Sequence, residues 1–270
     1  MNAKIKTVGI LAIGNEVLDG LVLDTNSNWM ETRLVVLGLQ INRLVSVRDE
    51  IEEIGKALEF VMETCDVVIT SGGLGPTHDD MTLKAIAIAL ELEISENADA
   101  LEIVERQYKT LYERGIVQSP DMTEARIKMA RIPEGAVPLD NRVGGAPGIR
   151  LQVGNSTIFS LPGVPSELEF IFNDSLIPWI SDRVAQKFYT QVIEFGAHDE
   201  STFSPAIDVV MEKHPGVYVK SMPRPYGTTR ALRVWVSARG ETLKEVTDIV
   251  KNAIQSLEEE TGLPSSIVES

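Results

Sequence analysis

The feature of this chain that most restricts its fold is a glycine-rich segment between an apolar run and a helical pattern. Residues 66–70 have the composition of a buried strand, residues 71–82 include Gly72, Gly73 and Gly75, and residues 83–92 have a helical pattern. Glycines lack the Cβ atoms that would keep a phosphate away from the main chain, and the first turn of a helix has free N–H groups that favour an anion. The segment therefore predicts an α/β fold with a phosphate-binding loop.

The loop has neither of the two common nucleotide-binding signatures. It contains no lysine, which G-x-x-x-x-G-K-[ST] requires, and its spacing does not fit G-x-G-x-x-G. Two carboxylates, Asp79 and Asp80, take the place of the lysine and would repel a phosphate unless a cation lies between them. Magnesium is typically held by one or two carboxylates together with phosphate oxygens and water. We therefore expect a divalent metal cofactor, Mg²⁺, Mn²⁺ or Co²⁺, beside the phosphate.

A structural interpretation of the same residues is also open. Thr77 and Asp80 have the spacing of a capping box, and the dipole of a following helix would favour a carboxylate at Asp79. The two interpretations are compatible. Because a cap does not require three preceding glycines, we favour a functional loop.

The first 70 residues alternate between strand and helix patterns. Helices are predicted over residues 25–37 and over residues 51–61, where apolar residues recur at a spacing of three to four. Strands are predicted over residues 8–13, 41–47 and 67–70. This β-α-β-α-β order predicts a mainly parallel sheet with right-handed crossovers, in which ligands bind beyond the carboxyl ends of the strands.

Polar segments follow the three predicted strands at their carboxyl ends. They are Gly14, Asn15 and Glu16, then Asp49, and then residues 71–80. We expect these segments to meet along one edge of the sheet. Taken alone, Glu16 is an ordinary loop charge, and Asp49 has the position of a cap for the next helix. Beside the glycine loop, a ligand role for Asp49 is an equal alternative.

The next hundred residues carry two more candidate loops. Helices are predicted over residues 97–114 and 123–131, and a second glycine-rich segment, residues 141–148, precedes a predicted β-hairpin. Residues 161–167 end a strand and begin a helix, with Pro165 at its first position. Both loops are typical of ordinary turns, and both are equally compatible with ligand binding.

The pattern changes near residue 181 to a smaller β-α-β-β-α unit. We therefore expect two domains, residues 1–181 and residues 182–270. The second contains five basic residues without an intervening acidic one, Lys220, Arg224, Arg230, Arg233 and Arg239. An anion-binding strip is one interpretation. We favour a hairpin with solvated basic ends, because the alternation over residues 230–236 indicates a strand with one buried face.

Charge and composition exclude several classes of partner. The chain has 40 acidic and 25 basic residues and a formal charge of −15, which argues against non-specific attraction to nucleic acid or anionic membranes. The second domain also has no predicted aromatic stacking pairs and no G-x-x-G clamp. No segment approaches membrane-spanning length, the start lacks a signal-peptide pattern, and the single cysteine, Cys65, is typical of a reducing compartment. We therefore expect a cytoplasmic protein whose ligand is a small molecule.

Five segments in order resemble one family. They are residues 14–18 (GNEVL), 24–27 (DTNS), the loop 71–82, 145–148 (GAPG) and 161–167 (LPGVPSE). Together they resemble the amino-terminal portion of the competence/damage-inducible (CinA-like) protein family, whose main domain has the molybdopterin-binding fold. The resemblance implies a three-layer α/β/α sandwich with a mainly parallel sheet, followed by a small α+β domain. It also implies, as is common in that family, metal-dependent hydrolysis of a pyrophosphate such as that of ADP-ribose.

Related molybdenum-cofactor proteins of the same fold bind molybdopterin, and some transfer an adenylyl group to it. They usually have a Gly-Thr-Gly core followed by Arg-Asp, whereas here Leu74 replaces the threonine and Asp79 replaces the arginine. The resemblance therefore favours the pyrophosphatase-like branch. Longer family members add a carboxyl-terminal amidase domain, which we do not expect in a chain of 270 residues.

We therefore predict a metal-dependent nucleotide pyrophosphatase that acts on a nucleoside-diphosphate-linked substrate such as ADP-ribose. The alternative is a molybdopterin- or nucleotide-binding protein of molybdenum cofactor metabolism that is non-catalytic or transfers an adenylyl group. A homo-oligomer is expected, since oligomers are common among such folds. The predicted catalytic residues are Asp80, Asp49 and Glu16, and the predicted metal ligands are Asp80, Asp79 and Asp49. The predicted binding residues are Gly14, Asn15, Asn26, Ser71, Gly72, Gly73, Leu74, Gly75, Pro76, Thr77, Asp79, Gly145, Ala146, Pro147, Gly148, Pro162 and Gly163.

Overall fold

The structure is a computed structural model that describes residues 4–196, 200–222 and 231–268. It divides into two compact units. The first comprises the chain up to Leu34 together with Gln40–Arg183, and the second comprises Val35–Leu39 together with the chain from Val184 onward.

The first unit is built on a mainly parallel sheet. Its strands are β1 (Thr7–Ile13), β2 (Gln40–Val47), β3 (Val67–Ser71), β4 (Ile94–Glu96), β5 (Arg131–Pro133), β6 (Val137–Leu139), β7 (Gly148–Val153) and β8 (Ser156–Leu161). Six of them form one sheet in the order β2-β1-β3-β8-β7-β6, while β4 and β5 form a separate antiparallel pair. The first four strands of that order are parallel, and β7 is antiparallel to both of its neighbours.

Helices cover both faces of this sheet, which confirms the predicted three-layer sandwich. On one face, Leu11 and Val68 pack in a cluster with Leu58. On the other, Phe159 contacts Trp179 edge-on, with ring centroids 5.2 Å apart.

No helix in the described part of the chain is both long and apolar enough to cross a membrane. The helices are α1 (Asn15–Leu18), α2 (Thr25–Val36), α3 (Ile51–Met62), α4 (Thr82–Ala89), α5 (Ala98–Glu113), α6 (Glu124–Lys128), α7 (Pro165–Ile171) and α8 (Ile177–Ser181), with a π-helical turn, Phe172–Leu176, before α8.

The sheet topology brings several loops to one edge. The parallel strands end at Ile13, Val47, Ser71 and Leu161. Because β6 is antiparallel to β7, which is antiparallel to β8, β6 runs in the same direction as β8 and ends at the same edge, at Leu139. The loops after these five strands are therefore neighbours at the carboxyl edge, where α/β proteins bind their ligands.

One predicted helix is shorter than its pattern indicated. The helix predicted over residues 123–131 ends at Lys128, and Arg131–Pro133 forms strand β5 instead. Pro133 cannot continue a helix, and the pairing partner, Ile94–Glu96, comes from a distant part of the chain. A partner far away in the sequence leaves no local periodicity, which is why the pattern did not predict it.

The second unit has the predicted small α+β fold. Its elements are β9 (Lys187–Phe195), α9 (Glu200–Lys213), β10 (Val217–Met222), β11 (Leu232–Gly240), α10 (Leu243–Thr261) and β12 (Ser265–Ile267). The strands form an antiparallel sheet in the order β10-β11-β9-β12. Val210 of α9 and Val250 of α10 pack with Val219 and Val234 of the sheet in one core. Strand β12 was not predicted, because three residues are too few to show alternation.

The basic residues of the second unit have different environments. Arg224 and Arg230 lie outside the described residues. The guanidinium of Arg239 lies 4.7 Å from the ring centroid of Phe188 and donates a hydrogen bond of 3.1 Å to the carbonyl of Leu39. Burial lowers the pKa of Arg239. The prediction of solvated basic ends is therefore wrong for Arg239, which packs against its own unit.

Three aromatic residues of the second unit are in contact. Trp235 lies between Tyr218 and Phe188, with ring centroids 5.8 Å and 6.3 Å away, respectively. The two contacts are edge-on or tilted, so neither is the stacked pair whose absence was predicted. The three residues belong to three strands, β10, β11 and β9, so only strand pairing brings them together.

Candidate functional site

A cavity of about 490 Å³ lies at the carboxyl edge of the first sheet. Loops that follow β1, β2, β3, β6 and β8 contribute to its lining, so the predicted meeting of separate polar segments is found in the structure. The predicted residues in the lining are Gly14, Glu16, Asp49, Gly72, Gly73, Leu74, Gly75, Pro76, Thr77, Asp79, Asp80, Gly145, Ala146, Pro162 and Gly163.

Five predicted binding residues, Asn15, Asn26, Ser71, Pro147 and Gly148, are not part of this lining. Asn26 connects two loops, because its Nδ2 donates to Ser71 Oγ (3.2 Å) and to the carbonyl of Gly163 (2.8 Å). Pro147 and Gly148 are buried at the start of β7. Asn26 therefore joins two loops beside the cavity without being part of its lining.

The close packing of the glycine loop against its neighbours requires glycine at two positions. Gly72 has a φ of 107°, and a Cβ atom there would lie 2.1 Å from the carbonyl oxygen of Ile13. Gly73 has a φ of 68°, and a Cβ atom there would lie 2.1 Å from Thr82 Oγ1. Thr82 Oγ1 in turn donates 2.9 Å to the carbonyl of Gly72. The loop is therefore held against both β1 and the start of α4.

Not every amide of the loop is available to a ligand. The N–H of Gly72 donates to the carbonyl of Leu161 at 3.0 Å and so belongs to the fold. The N–H groups of Gly73, Leu74 and Gly75 have no hydrogen-bond partner among the described residues. Consecutive unpartnered main-chain N–H groups at a cavity form an anion-binding surface.

The Thr77–Asp80 capping box is not found. Helix α4 begins at Thr82, and no side chain caps its amino end. Asp80 Oδ2 instead accepts hydrogen bonds from the N–H (2.8 Å) and the hydroxyl (2.6 Å) of Thr77. The two residues therefore close a turn within the loop, and Asp80 Oδ1 makes no hydrogen bond with the described residues.

The capping prediction for Asp49 is also wrong. Residue Glu50 precedes α3, which has no side-chain cap. Asp49 Oδ2 accepts a hydrogen bond of 2.8 Å from the N–H of Asn15, in the loop after the neighbouring strand. The carboxylate therefore points across the sheet edge, toward the residues that follow β1.

The acidic residues of the cavity influence one another. Burial raises the pKa of Asp49, and the negative charges of Glu16, Asp79 and Asp80 raise it further, against the hydrogen bond from Asn15. The Thr77 hydroxyl lowers the pKa of Asp79. Asp49 is therefore close enough to three other carboxylates to feel their charge, an arrangement that attracts a cation.

The donor set is of the type that a hard divalent cation takes when other ligands complete its coordination. Among the residues that the structure describes, no three His, Cys, Asp or Glu side chains are close enough to hold a metal by themselves. Magnesium usually needs only one or two protein carboxylates, with phosphate and water as its other ligands. Asp80 Oδ1 and the carboxylates of Asp79 and Asp49 are the oxygens available for that role.

The second glycine-rich loop is organised by Asn141, which is fully buried. Its Oδ1 accepts from the N–H groups of Val143 and Gly144, both at 3.0 Å, and its Nδ2 donates 2.7 Å to the carbonyl of Ala146. Nδ2 also donates 2.7 Å to Glu167 Oε2. The loop and the start of α7 are therefore joined through one amide side chain.

Five residues of the lining were not predicted, namely Ile13, Tyr108, Met129, Val164 and Glu167. Helical spacing indicates packing for Tyr108, and it does pack with the core, but its ring also lies close to Gly145, where a Cβ atom would be 2.9 Å away. Glu167 belongs to the LPGVPSE segment, but the sequence alone did not indicate its burial.

Comparisons with known proteins agree with this architecture. The family described as "Probable molybdopterin binding domain" matches residues 9–182. The crystal structure of the protein CinA from Thermoplasma acidophilum has 35% sequence identity and a TM-score of 0.59, and the match covers 64% of this chain and 98% of that one. The chain belongs to the CinA-like proteins of the molybdopterin-binding-domain family.

Whole-length relatives of this CinA-like chain occur in archaea. A protein of Pyrobaculum arsenaticum is 38% identical over 252 residues, which is 93% of this chain and 92% of the relative. A protein of Aeropyrum pernix is 39% identical over 253 residues, covering 92% and 91% of the two chains, respectively. Both matches extend beyond the family domain into the second unit.

We expect the Glu167 carboxyl group to make the thermal stability of this CinA-like protein depend on pH. Burial raises the pKa of Glu167, against the hydrogen bond from Asn141, so folding disfavours its ionised form. The resulting cost is present at neutral pH and disappears as the pH falls below the carboxyl's ordinary range. We expect Glu167→Gln to raise the melting temperature at pH 7.5, by about 2–4 °C for each kcal/mol relieved, and to give no increase at pH 4.

The measurement is differential scanning calorimetry of both proteins from pH 4 to pH 8. The matched control is Glu169→Gln, the same substitution at a position of α7 outside the cavity lining. An equal effect of Glu167→Gln at pH 4 and pH 7.5 would contradict the buried-carboxylate explanation.

Proposed function

We propose that the CinA-like cavity binds a nucleoside-diphosphate-linked molecule such as ADP-ribose and hydrolyses its pyrophosphate with a divalent metal. The observation that carries this proposal is the pairing of two opposite features in one cavity. Unpartnered N–H groups of Gly73, Leu74 and Gly75 favour an anion, while the carboxylates around Asp49 favour a cation. A diphosphate bound together with a divalent cation satisfies both.

In the proposed complex, the main-chain N–H groups of Gly73–Gly75 bind the diphosphate oxygens and orient the scissile bond. Asp80, with Asp79 or Asp49, would hold the cation, which would supply Lewis-acid polarisation of a phosphate oxygen and lower the pKa of water. Glu16 is exposed at the rim and accepts the proton of the attacking water. Water attack on phosphorus breaks one P–O bond of the anhydride and gives two phosphate monoesters.

A second candidate is a pterin- or nucleotide-binding protein that does not hydrolyse its ligand. The description of the matching family favours this candidate, since it refers to molybdopterin binding. Leu74 and Asp79, which stand in place of the threonine and arginine expected from the molybdenum-cofactor proteins, favour the pyrophosphatase.

The test is ³¹P NMR of the full chain with ADP-ribose, FAD or NAD, each with Mg²⁺, Mn²⁺ or Co²⁺. We expect the diphosphate resonances of at least one substrate to be replaced by monoester resonances, and EDTA to prevent the change. A ligand that binds and stays intact with every metal would favour the binding protein instead. ATP consumption that depends on added molybdopterin would identify adenylyl transfer.

A further inference from the structure

A second cavity, of about 340 Å³, adjoins the proposed pyrophosphate site. Gly73, Leu74, Gly75 and Asp80 line both cavities, so the glycine loop forms a wall common to the two. We call this second space the basic cavity, because its lining includes the side chains of Lys84, Lys128 and Arg131.

The basic cavity concentrates positive charge in a strongly acidic chain. The charged residues of its lining are three cations and one carboxylate, Asp80. Asp80 Oδ2 is occupied by two hydrogen bonds from Thr77. The same three cations also line a neighbouring surface cavity of about 470 Å³, so they lie where two hollows meet. With a net charge of −15, the protein offers few places where an anion meets a local positive field.

The three cationic side chains differ in the contacts that they make with other residues of the protein. Lys84 is exposed and forms no ion pair with the described residues. Lys128 donates to the main-chain carbonyl of Thr77. Arg131 Nη2 lies 2.5 Å from Glu124 Oε1, a partner that is 73% exposed. An arriving anion would therefore meet one unpaired ammonium and one guanidinium whose only ion-pair partner among the described residues is exposed and readily displaced.

The rest of the lining is apolar. Leu74, Leu83 and Met129 are each less than a tenth exposed, and Ile94 lies at the rim. A site with an apolar floor and a cationic end suits a ligand that has a flat apolar part and an anionic group. A volume of about 340 Å³ is within the range of small-ligand pockets.

We propose that the basic cavity is a binding site for a nucleoside monophosphate, with the phosphate on Lys84, Lys128 and Arg131 and the base on Leu74, Leu83 and Met129. The proposed hydrolysis of a nucleoside-diphosphate-linked substrate would yield a product of this class in the adjoining cavity, which shares the glycine loop. The choice of a nucleoside for the apolar part rests on the proposed function. The anion site itself rests on the cavity alone and needs no metal.

The test is isothermal titration of the full chain with AMP in EDTA, which removes the divalent metal that the proposed hydrolysis requires. We expect AMP to bind, and we expect adenosine and inorganic phosphate each to bind at least about tenfold more weakly, since each lacks half of the recognised groups. Phosphate binding as tightly as AMP, or no AMP binding up to 5 mM, would overturn the proposal.

Variants locate the site. Lys84→Gln and Arg131→Gln should each weaken AMP binding by about tenfold, while Glu124→Gln, which removes the partner of Arg131, should strengthen it. Lys56→Gln is the matched control, because Lys56 pairs with Glu52 on an exposed face of α3. This variant should bind AMP as the unmodified protein does. Equal AMP affinity in Lys84→Gln, Arg131→Gln and Lys56→Gln would place the nucleotide elsewhere.

The AMP-binding measurements do not depend on whether the protein hydrolyses a substrate. Glu16→Gln should lose hydrolysis and keep its AMP affinity, because Glu16 lines only the first of the two cavities. AMP binding without hydrolysis of any substrate would sustain the basic cavity and remove the pyrophosphatase, and hydrolysis without AMP binding would do the reverse.

Discussion

Asp49→Asn is expected to reduce metal-dependent hydrolysis of ADP-ribose by about 100-fold and, at the same time, to raise the melting temperature at neutral pH. The loss of activity follows from removing one of the few carboxylates that can hold the cation. The gain in stability follows from the raised pKa of Asp49, because burial and the nearby charges of Glu16, Asp79 and Asp80 make its ionised form costly in the folded state. Asparagine keeps an oxygen that can accept the hydrogen bond from the N–H of Asn15.

The sign of the stability effect depends on pH. A carboxyl group whose pKa is raised by folding costs stability only where it is ionised, so the advantage of Asp49→Asn should be full at pH 7.5 and should vanish near pH 3.5. Thermal unfolding at both pH values and ³¹P NMR turnover measure the two effects. Unchanged turnover would remove Asp49 from the mechanism, and a lower melting temperature at pH 7.5 would show that its hydrogen bond outweighs the repulsion.

Gly72→Ala is expected to destabilise the first unit by about 3 kcal/mol or more, which lowers its melting temperature by roughly 6–12 °C. The added Cβ atom would lie 2.1 Å from the carbonyl oxygen of Ile13, and a backbone atom in a central strand cannot move aside as a flexible side chain could. Alanine also tolerates the φ of 107° poorly. Relief requires the loop to move away from β1, so ligand binding at Gly73–Gly75 should be lost as well.

Gly154→Ala is the control that shows the cost of backbone strain alone, without a collision between the new Cβ atom and another residue. Gly154 lies in the turn between β7 and β8 with a φ of 54°, and a Cβ atom there would meet no heavy atom within 4 Å. Its expected cost is only the left-handed conformation, about 1 kcal/mol. Urea denaturation of both variants tests the comparison, and equal losses of stability would show that contact with Ile13 is unimportant.

Much of the site could be predicted because it depends on sequence order. Apolar runs alternating with amphipathic helices require parallel strands, and parallel strands bring their carboxyl ends together. Gly14, Asp49 and the loop around Gly73 therefore meet for a reason that is visible in the chain alone. The glycines were predicted to let a phosphate approach the main chain, and the structure adds that a Cβ atom at Gly72 or Gly73 would collide with Ile13 or Thr82.

The hydrogen-bond partners could not be predicted in the same way. Asp49 was equally suited to cap α3 by its position, but it accepts from Asn15 on the next loop. Local spacing shows which caps are possible, and only the arrangement of neighbouring strands decides whether a stronger partner lies within reach. The burial of Glu167 and its bond to Asn141 depend in the same way on loops that are distant in the sequence.

What the sequence determined by itself is the order of elements, the sheet edge at which the candidate site lies and the opposing charges of that edge, because periodicity and loop composition act locally. What only the tertiary structure decided is which amides remain unpartnered, which carboxylates repel one another and where Lys84, Lys128 and Arg131 converge. Those properties depend on distances between residues far apart in the chain, and hydrogen bonds and charge interactions change steeply over a few ångströms.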